Sequence, residues 1–109
     1  MGSEVTAVNA RMTELARKFI ARTVEELGQI RAAYALLDAG DRGGLSHIQQ
    51  LAHRICGTGG TLGLLALSDA AGELERSVET CAADGIPDAN ERAQIGAKIE
   101  ALAAQLALL

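Results

Sequence analysis

Residues 45–75 read LSHIQQLAHRICGTGGTLGLLALSDAAGELE, and this stretch decides how the chain folds. An α-helix turns by about 100° per residue, so positions in the first part of the stretch can be placed relative to His53. Ile48, Leu51 and Ile55 fall roughly 140–160° away from the histidine and form the apolar stripe that a surface helix buries. We therefore expect the His53 side chain to point into solvent.

The helix face around His53 carries glycines and small polar residues. Gly57 and Gly60 lie within about 40° of the histidine, one and two turns further along the helix. Such a face lets a bulky partner approach the imidazole closely. The candidate site is therefore His53 together with seven residues that line it, namely Ser46, Gln49, Gln50, Arg54, Cys56, Gly57 and Gly60.

Four glycines, at positions 57, 59, 60 and 63, leave two interpretations open. A glycine in a helix interior costs up to about 1 kcal/mol relative to alanine. Either the helix ends at Gly57 and a glycine-rich loop follows, or the helix continues and the glycines serve close packing or access. A phosphate-binding loop is a poor third interpretation, because the Gly-x-x-x-x-Gly-Lys-Ser/Thr pattern is missing and no strand leads in.

The run AHRICGTGGTLG at residues 52–63 resembles the signature of histidine-containing phosphotransfer (HPt) domains. In that signature an aliphatic residue stands two positions after the histidine, and glycines stand four and ten positions after it. Ile55, Gly57 and Gly63 match these positions. The signature has a lysine three positions after the histidine, and here that residue is Cys56.

The resemblance extends from roughly Phe19 to the C-terminus. Leu67 and the pair Leu74-Glu75 are similar to the leucine and the Leu-Glu that follow in the family. The LDAGD turn at residues 37–41 is similar to the turn that precedes the active helix. The combination is more specific than any of its parts.

The resemblance implies a phosphorelay intermediate. His53 would accept a phosphoryl group from an aspartyl phosphate on a response-regulator receiver domain, within a relay fed by a hybrid histidine kinase, and pass it to another receiver. A neutral imidazole offers a lone pair for this step, and phosphoryl transfer needs mainly positioning and charge neutralisation. The receiver would bring Mg²⁺, so we expect no cofactor of the chain's own. The family's lysine would neutralise the phosphoryl oxygens, which Cys56 cannot do.

Other residues near His53 have weaker claims to a role. Arg54 is interpreted as a solvated surface arginine, although its long side chain reaches far enough to swing across the site. Gln49 and Gln50 are candidates to hydrogen-bond the imidazole or the phosphate. His47 lies about 120° from His53 and no motif surrounds it, so we expect an ordinary surface residue.

Composition bounds the class of protein. Of the 109 residues, 49% are apolar, but there is one Phe, one Tyr and no Trp. This composition predicts a single domain of packed helices spanning residues 1–109. Residues 1–4 are expected to be disordered or a cloning remnant. The net charge of −4 argues against nucleic-acid binding. Neither a membrane span nor a signal peptide is expected. Two cysteines without metal-site spacing favour reduced thiols, and we expect a cytoplasmic monomer.

Apolar residues recur at spacings of three and four along the whole chain, which predicts helices throughout. Residues 5–37 form one long helix, or a short extra N-terminal helix followed by a long one. Glu26 is placed on the solvated flank of this helix, where it pairs with Arg22 four residues earlier. Gly40 and Asp41 predict the end of that helix and the cap of the next.

The second half of the chain predicts two more helices. The third runs over residues 64–83, and the sequence DGIPD at residues 84–88 forms the break before the last helix. Short turns between amphipathic helices favour antiparallel neighbours. We therefore predict an all-α fold, an up-down antiparallel four-helix bundle.

Two other functions stay open. In the dimerisation domain of a histidine kinase, an acidic residue and then a proline follow the histidine, whereas Arg54 and Gly57 stand here. Because no ATP-binding domain fits in 109 residues, the chain is not expected to be an enzyme. The second alternative is a degenerate HPt bundle that binds a receiver without accepting phosphate, and Cys56 keeps this alternative open.

Overall fold

The computed structural model describes residues 2–37 and 43–109, with side chains described for residues 11–37, 43–81 and 85–109. Within this part of the chain, the elements are four helices and no strand: α1 (Gly2–Leu37), α2 (Gly43–Thr61), α3 (Leu65–Asp84) and α4 (Ala89–Ala107). The predicted all-α four-helix bundle is confirmed. The predicted cap signals at Gly40 and Asp41 lie outside the described residues.

Neighbouring helices run antiparallel, as pairs of contacts show. Arg54 of α2 bonds to Glu26 of α1, whereas Gly44, ten residues earlier on α2, lies against Ala33, further along α1. A Cβ atom at Gly44 would lie 2.6 Å from the Ala33 carbonyl oxygen, so only glycine permits this approach. The same reversal is seen in the pairs Gln49–Glu79 and Cys56–Ser68 between α2 and α3, and in the pairs Arg31–Glu100 and Tyr34–Arg92 between α1 and α4.

The core lies between the four helices and is built from branched aliphatic side chains. Ile48, Leu51 and Ile55 are all buried, so the predicted apolar stripe of α2 is confirmed. Burying one such side chain stabilises the fold by about 1.5–3 kcal/mol. The apolar stripes of α3 and α4 complete the core together with the stripe of α2. Their buried residues are Leu67, Ala71, Leu74, Val78, Cys81, Ile95, Ile99, Leu102 and Leu106.

Helix α1 is one continuous helix, without the short separate N-terminal helix that the sequence allowed. Its 36 residues span about 54 Å, well beyond the 19 or 20 residues of each other helix, so its N-terminal part extends past the bundle. Met12 and Leu15 are exposed there for that reason. The placement of Glu26 on a solvated flank is wrong: Glu26 is buried against α2, while its predicted pair with Arg22 is present at 2.8 Å.

The turns that follow α2 and α3 determine where these helices end and where the next ones begin. Gly63 adopts φ 78°, a left-handed conformation that favours glycine, in the turn between α2 and α3. The predicted break before α4 is present but begins one residue later, at Gly85, because Asp84 still belongs to α3. Asp88 caps α4, accepting from the Glu91 backbone N–H at 2.8 Å, while the Glu91 side chain accepts from the Asp88 N–H. No helix in the described ranges is long and apolar enough to cross a membrane.

Candidate functional site

His53 stands on the outer face of α2, with its side chain 77% exposed, in the direction that the helical periodicity predicts. Its Nδ1 atom lies 2.7 Å from Oε2 of Glu75, which belongs to α3 and is 17% exposed. An ionised carboxylate only accepts hydrogen bonds, so the Nδ1 atom carries the hydrogen and donates it. In the neutral ring, the lone pair then lies on Nε2. The site therefore presents a nucleophilic nitrogen on an exposed, oriented ring.

The antiparallel packing of α2 and α3 brings Glu75 to His53. One turn away, Gln49 Nε2 donates to Oε1 of Glu79 at 3.2 Å. Gln49 and His53 are four residues apart on α2, as Glu75 and Glu79 are on α3, so equal steps along two antiparallel helices produce two parallel cross-links. The orientation of His53 is thus set by the helix pair and not by a flexible loop.

A shallow groove of about 410 Å³ lies beside His53 between α2 and α3. Three of the predicted lining residues, Ser46, Gln49 and Gln50, belong to it, and Gly57 and Gly60 are exposed further along α2. Gln49 is held by Glu79 and does not contact the imidazole in this structure. The residues around the groove are Ser46, Gln49, Gln50, His53, Glu75 and Glu79.

The glycines of α2 lie within the helix, which continues to Thr61. The interpretation that the helix continues is therefore the correct one. Gly59 is buried against Ser68 of α3, and a Cβ atom at Gly60 would lie 3.3 Å from Ser68 Oγ. At Gly57 an added Cβ atom would meet nothing within 4 Å. Packing against α3 accounts for the glycines at 59 and 60, whereas nothing within the bundle requires glycine at 57.

Arg54 does not join His53. Its Nη1 atom donates to Oε1 of Glu26 at 3.0 Å, on the side of α2 that faces α1, and its side chain is 47% exposed. The expectation of a merely solvated arginine is corrected to that extent, because the guanidinium links two helices. The alternative in which Arg54 swings across the site would require this bond to break.

Cys56 lies one turn after His53 and faces α3. It is half-buried, its backbone carbonyl accepts from Ser68 Oγ at 2.7 Å, and its Sγ atom lies 3.6 Å from the same hydroxyl. A Cβ atom at Gly72 would lie 3.4 Å from Cys56 Sγ and 3.5 Å from Nη1 of Arg76. The thiol and a guanidinium from α3 therefore both lie close to the position that an added Cβ atom at Gly72 would take.

Arg76 belongs to a chain of charges on the exposed side of α3. It donates to Glu73 at 2.9 Å, and Glu73 also accepts from Lys98 of α4 at 3.3 Å. The hydrogen bonds from Arg76 and Lys98 hold the pKa of Glu73 below its usual value, and the bond to Glu73 raises the pKa of Arg76.

The sequence alone predicts no site role for Glu75, Glu79 or Arg76. Glu75 stands out only as part of the Leu-Glu pair in the family pattern. A turn at Gly63, between α2 and α3, is the signal that would have found Glu75, because residues equally far from such a turn on two antiparallel helices come opposite each other.

His47 lies away from His53, as predicted. It adjoins an apolar groove of about 320 Å³ between α1 and α2. That groove is lined by Gln29, Ala32, Ala33, Leu36, Gly43, Gly44 and His47.

Among the side chains that the structure describes, no three His, Cys, Asp or Glu residues come together as metal ligands would. The family model described as "Hpt domain" matches residues 14–107. No match to a curated protein or to a solved structure was found.

Proposed function

Because the chain belongs to the Hpt domain family, we propose that it relays a phosphoryl group between aspartates of response-regulator receiver domains through a phosphohistidine at His53. An Hpt domain is a phosphotransfer module and not the catalytic domain of a kinase. The phosphoryl group therefore comes from a partner, a receiver domain or a hybrid histidine kinase.

The observation that carries this proposal is the bond between His53 and Glu75. The carboxylate holds the hydrogen on Nδ1 and so keeps the lone pair on Nε2 of an exposed ring. An unassisted surface histidine populates both tautomers and several rotamers, whereas this one is fixed in the form that attacks. Positioning of this kind is the main contribution that a protein makes to phosphoryl transfer.

The transfer step balances without any further reactant. The Nε2 lone pair forms a bond to phosphorus as the bond between phosphorus and the aspartyl oxygen breaks, and the electron pair leaves with the carboxylate. The ring then bears the phosphoryl group on Nε2 and the hydrogen on Nδ1, and Glu75 offsets the positive charge that develops on it. The reverse step on a second receiver regenerates neutral His53.

The proposal extends to the partner surface and the surroundings. The receiver would dock on the face of α2 around Ser46, Gln49, Gln50, Gly57 and Gly60, together with neighbouring positions of α3, and it would bring its own acidic pocket and Mg²⁺. A cytoplasmic location and a monomeric state belong to the same proposal, because a receiver must reach His53 unhindered.

The test is phosphoryl transfer from a panel of phosphorylated receiver domains to the wild-type chain and to His53→Gln. The matched control is His47→Gln, which removes the other histidine of α2 on a different face. We expect an acid-labile, alkali-stable label on the wild type and on His47→Gln, and none on His53→Gln. A label on His53→Gln would refute the assignment of His53.

The same panel distinguishes the relay from the docking alternative. Binding of each receiver is measured alongside labelling, for example by calorimetry. If a receiver binds the wild type but no receiver labels it, the relay is refuted, and the chain is a receiver-binding module without phosphoacceptor activity. The substitution at Cys56 is the observation that favours this second function.

A further inference from the structure

We propose that Arg76 of α3 binds the phosphoryl group on His53 and neutralises its charge during transfer. The inference rests on the proposed function, which it deepens by naming a residue that the family pattern does not mark. It concerns the negative charge on the phosphoryl oxygens, which neither His53 nor Glu75 neutralises.

The surroundings of His53 are acidic in this structure. Glu75 bonds to the ring itself, and Glu79 lies one turn away in the same groove. Both carboxylates repel a phosphoryl group that arrives on Nε2. A cation close to the histidine is therefore needed if the phosphorylated state is to form readily.

Only two arginines and no lysine occur on the two helices of the site. Helix α2 carries Arg54 and α3 carries Arg76. Arg54 is bonded to the buried carboxylate of Glu26 on the side of α2 that faces α1, so it is held away from His53. Arg76 is the cation that remains on these two helices.

The position of Arg76 follows from its place in the sequence and from two distances at Gly72. It is the next residue after Glu75, whose carboxylate touches the His53 ring. Its guanidinium lies against Gly72, one turn earlier on α3, where an added Cβ atom would be 3.5 Å from Nη1. The Sγ atom of Cys56, one turn after His53 on α2, lies 3.4 Å from the same added Cβ position. The guanidinium thus lies close to Cys56, the position where the family signature has its lysine.

Arg76 is able to leave its present partner. Its side chain is 66% exposed and its bond to Glu73 lies in solvent, where ion pairs are weak. Glu73 keeps its second cation, Lys98, when Arg76 moves away. A dianionic phosphoryl group with three acceptor oxygens is a stronger partner for the planar guanidinium than one shared carboxylate.

The experiment compares Arg76→Ala and Arg76→Lys with the wild type, and uses Lys98→Ala as the matched control. Lys98→Ala removes the other cation on Glu73 without touching the α2–α3 side. Each chain is phosphorylated by a receiver and, separately, by the small donor phosphoramidate, and the phosphohistidine is titrated by ³¹P NMR. The free energy of unfolding is measured for all variants.

We expect Arg76→Ala to slow phosphorylation by both donors about tenfold, and to raise the pKa of the phosphoryl group, because the dianion loses its cation. Arg76→Lys retains most of the rate, and Lys98→Ala behaves as the wild type. In the double variant Cys56→Lys/Arg76→Ala, we expect the rate to recover, since a lysine at 56 restores positive charge beside His53.

The outcomes separate this inference from the proposed function. If the wild type is never labelled, the proposed function fails. If the wild type is labelled and Arg76→Ala matches it in rate and in the ³¹P titration, Arg76 has no such role. If Arg76→Ala is slow only with the receiver and its ³¹P titration is unchanged, Arg76 binds the receiver rather than the phosphoryl group, and the inference is overturned.

Discussion

Two consecutive residues of α2, His53 and Arg54, each bond to a glutamate of a different neighbouring helix. His53 bonds to Glu75 of α3, and Arg54 bonds to Glu26 of α1. The two pairs have similar chemistry and lie one residue apart, yet they differ in burial. The side chain of Glu26 is 5% exposed, whereas the His53 ring is open to solvent.

The difference suits the Glu26 pair to a structural role and the Glu75 pair to the proposed phosphoryl transfer. Glu26 accepts from two arginines, Arg22 at 2.8 Å and Arg54 at 3.0 Å, so its buried charge is compensated from both helices. Glu75 engages only one nitrogen of a ring whose other nitrogen stays open. Burial with full compensation holds helices together, while partial engagement at the surface leaves one ring nitrogen available, as the proposed function requires. Variants of the two glutamates test this distinction.

The largest effect is expected from Glu26→Ala. It leaves Arg22 and Arg54 without their shared carboxylate and opens space beside the buried Thr23. Removing one partner of a buried ion pair costs about 3–5 kcal/mol, and the half-exposed arginines reduce this to about 2–3 kcal/mol. Urea unfolding measures the loss.

The control for this variant is Glu25→Ala, which removes a neighbouring but exposed carboxylate and should change stability little. At a temperature where Glu26→Ala is folded, we expect its His53 to be phosphorylated at the wild-type rate. A strong loss of phosphorylation in the folded Glu26 variant would show that the two pairs are coupled, and the distinction drawn above would be wrong.

The burial of Glu26 shows where the sequence stops being informative. The i,i+4 spacing correctly predicts its pair with Arg22, because that pair depends on one helix alone. Its burial depends on how closely α2 approaches α1, which Gly44 permits, and on the bond from Arg54 across the interface. A helical wheel contains neither piece of information.

The fold itself was predictable because it depends on local periodicity. The stripe of Ile48, Leu51 and Ile55 is buried where the spacing of three and four places it, and the exposure of His53 follows from the same geometry. The partner of His53 was not predictable in this way. Glu75 lies on another helix, and only the antiparallel register of α2 and α3 brings it to the ring.

The second effect in size is expected from Glu75→Ala. Without the acceptor for Nδ1–H, the ring populates the other tautomer and other rotamers, and we expect phosphoryl transfer to slow about tenfold, or about 1.4 kcal/mol in the barrier. Glu75→Gln offers Oε1 as an acceptor for the same hydrogen and should lose less. ¹⁵N NMR of the imidazole reports the tautomer directly.

Glu79→Ala is the matched control for Glu75, since it removes the cross-link to Gln49 one turn away and leaves the His53 bond in place. We expect this variant to keep the Nε2 lone pair and to transfer at least as fast as the wild type, because it also removes a carboxylate that repels the phosphoryl group. If Glu75→Ala transferred as fast as Glu79→Ala, the orientation of His53 by Glu75 would not matter for transfer. The bond from His53 to Glu75 would then have only a structural role, like the bond from Arg54 to Glu26.

The smallest effect is expected from Gly57→Ala, which adds one methyl group to the open face of α2. Nothing lies within 4 Å of the added Cβ atom, so the free protein gains helix propensity of up to about 1 kcal/mol. Gly28→Ala is its control, because Gly28 is also exposed, within α1, and free of contacts at Cβ. Both variants should therefore unfold at slightly higher urea concentrations than the wild type.

The two alanine variants should differ in transfer. Gly57 is one turn from His53 on the face that a receiver would cover, so its methyl group should slow transfer from the receiver while leaving phosphorylation by phosphoramidate unchanged. Gly28→Ala should change neither rate. Equal receiver rates for the two variants would mean that the partner does not approach over Gly57. A gain of stability together with a loss of transfer would instead show that Gly57 serves the approach of a partner and makes the helix less stable. His53 is likewise exposed on this face, whereas Arg54 is bonded to Glu26.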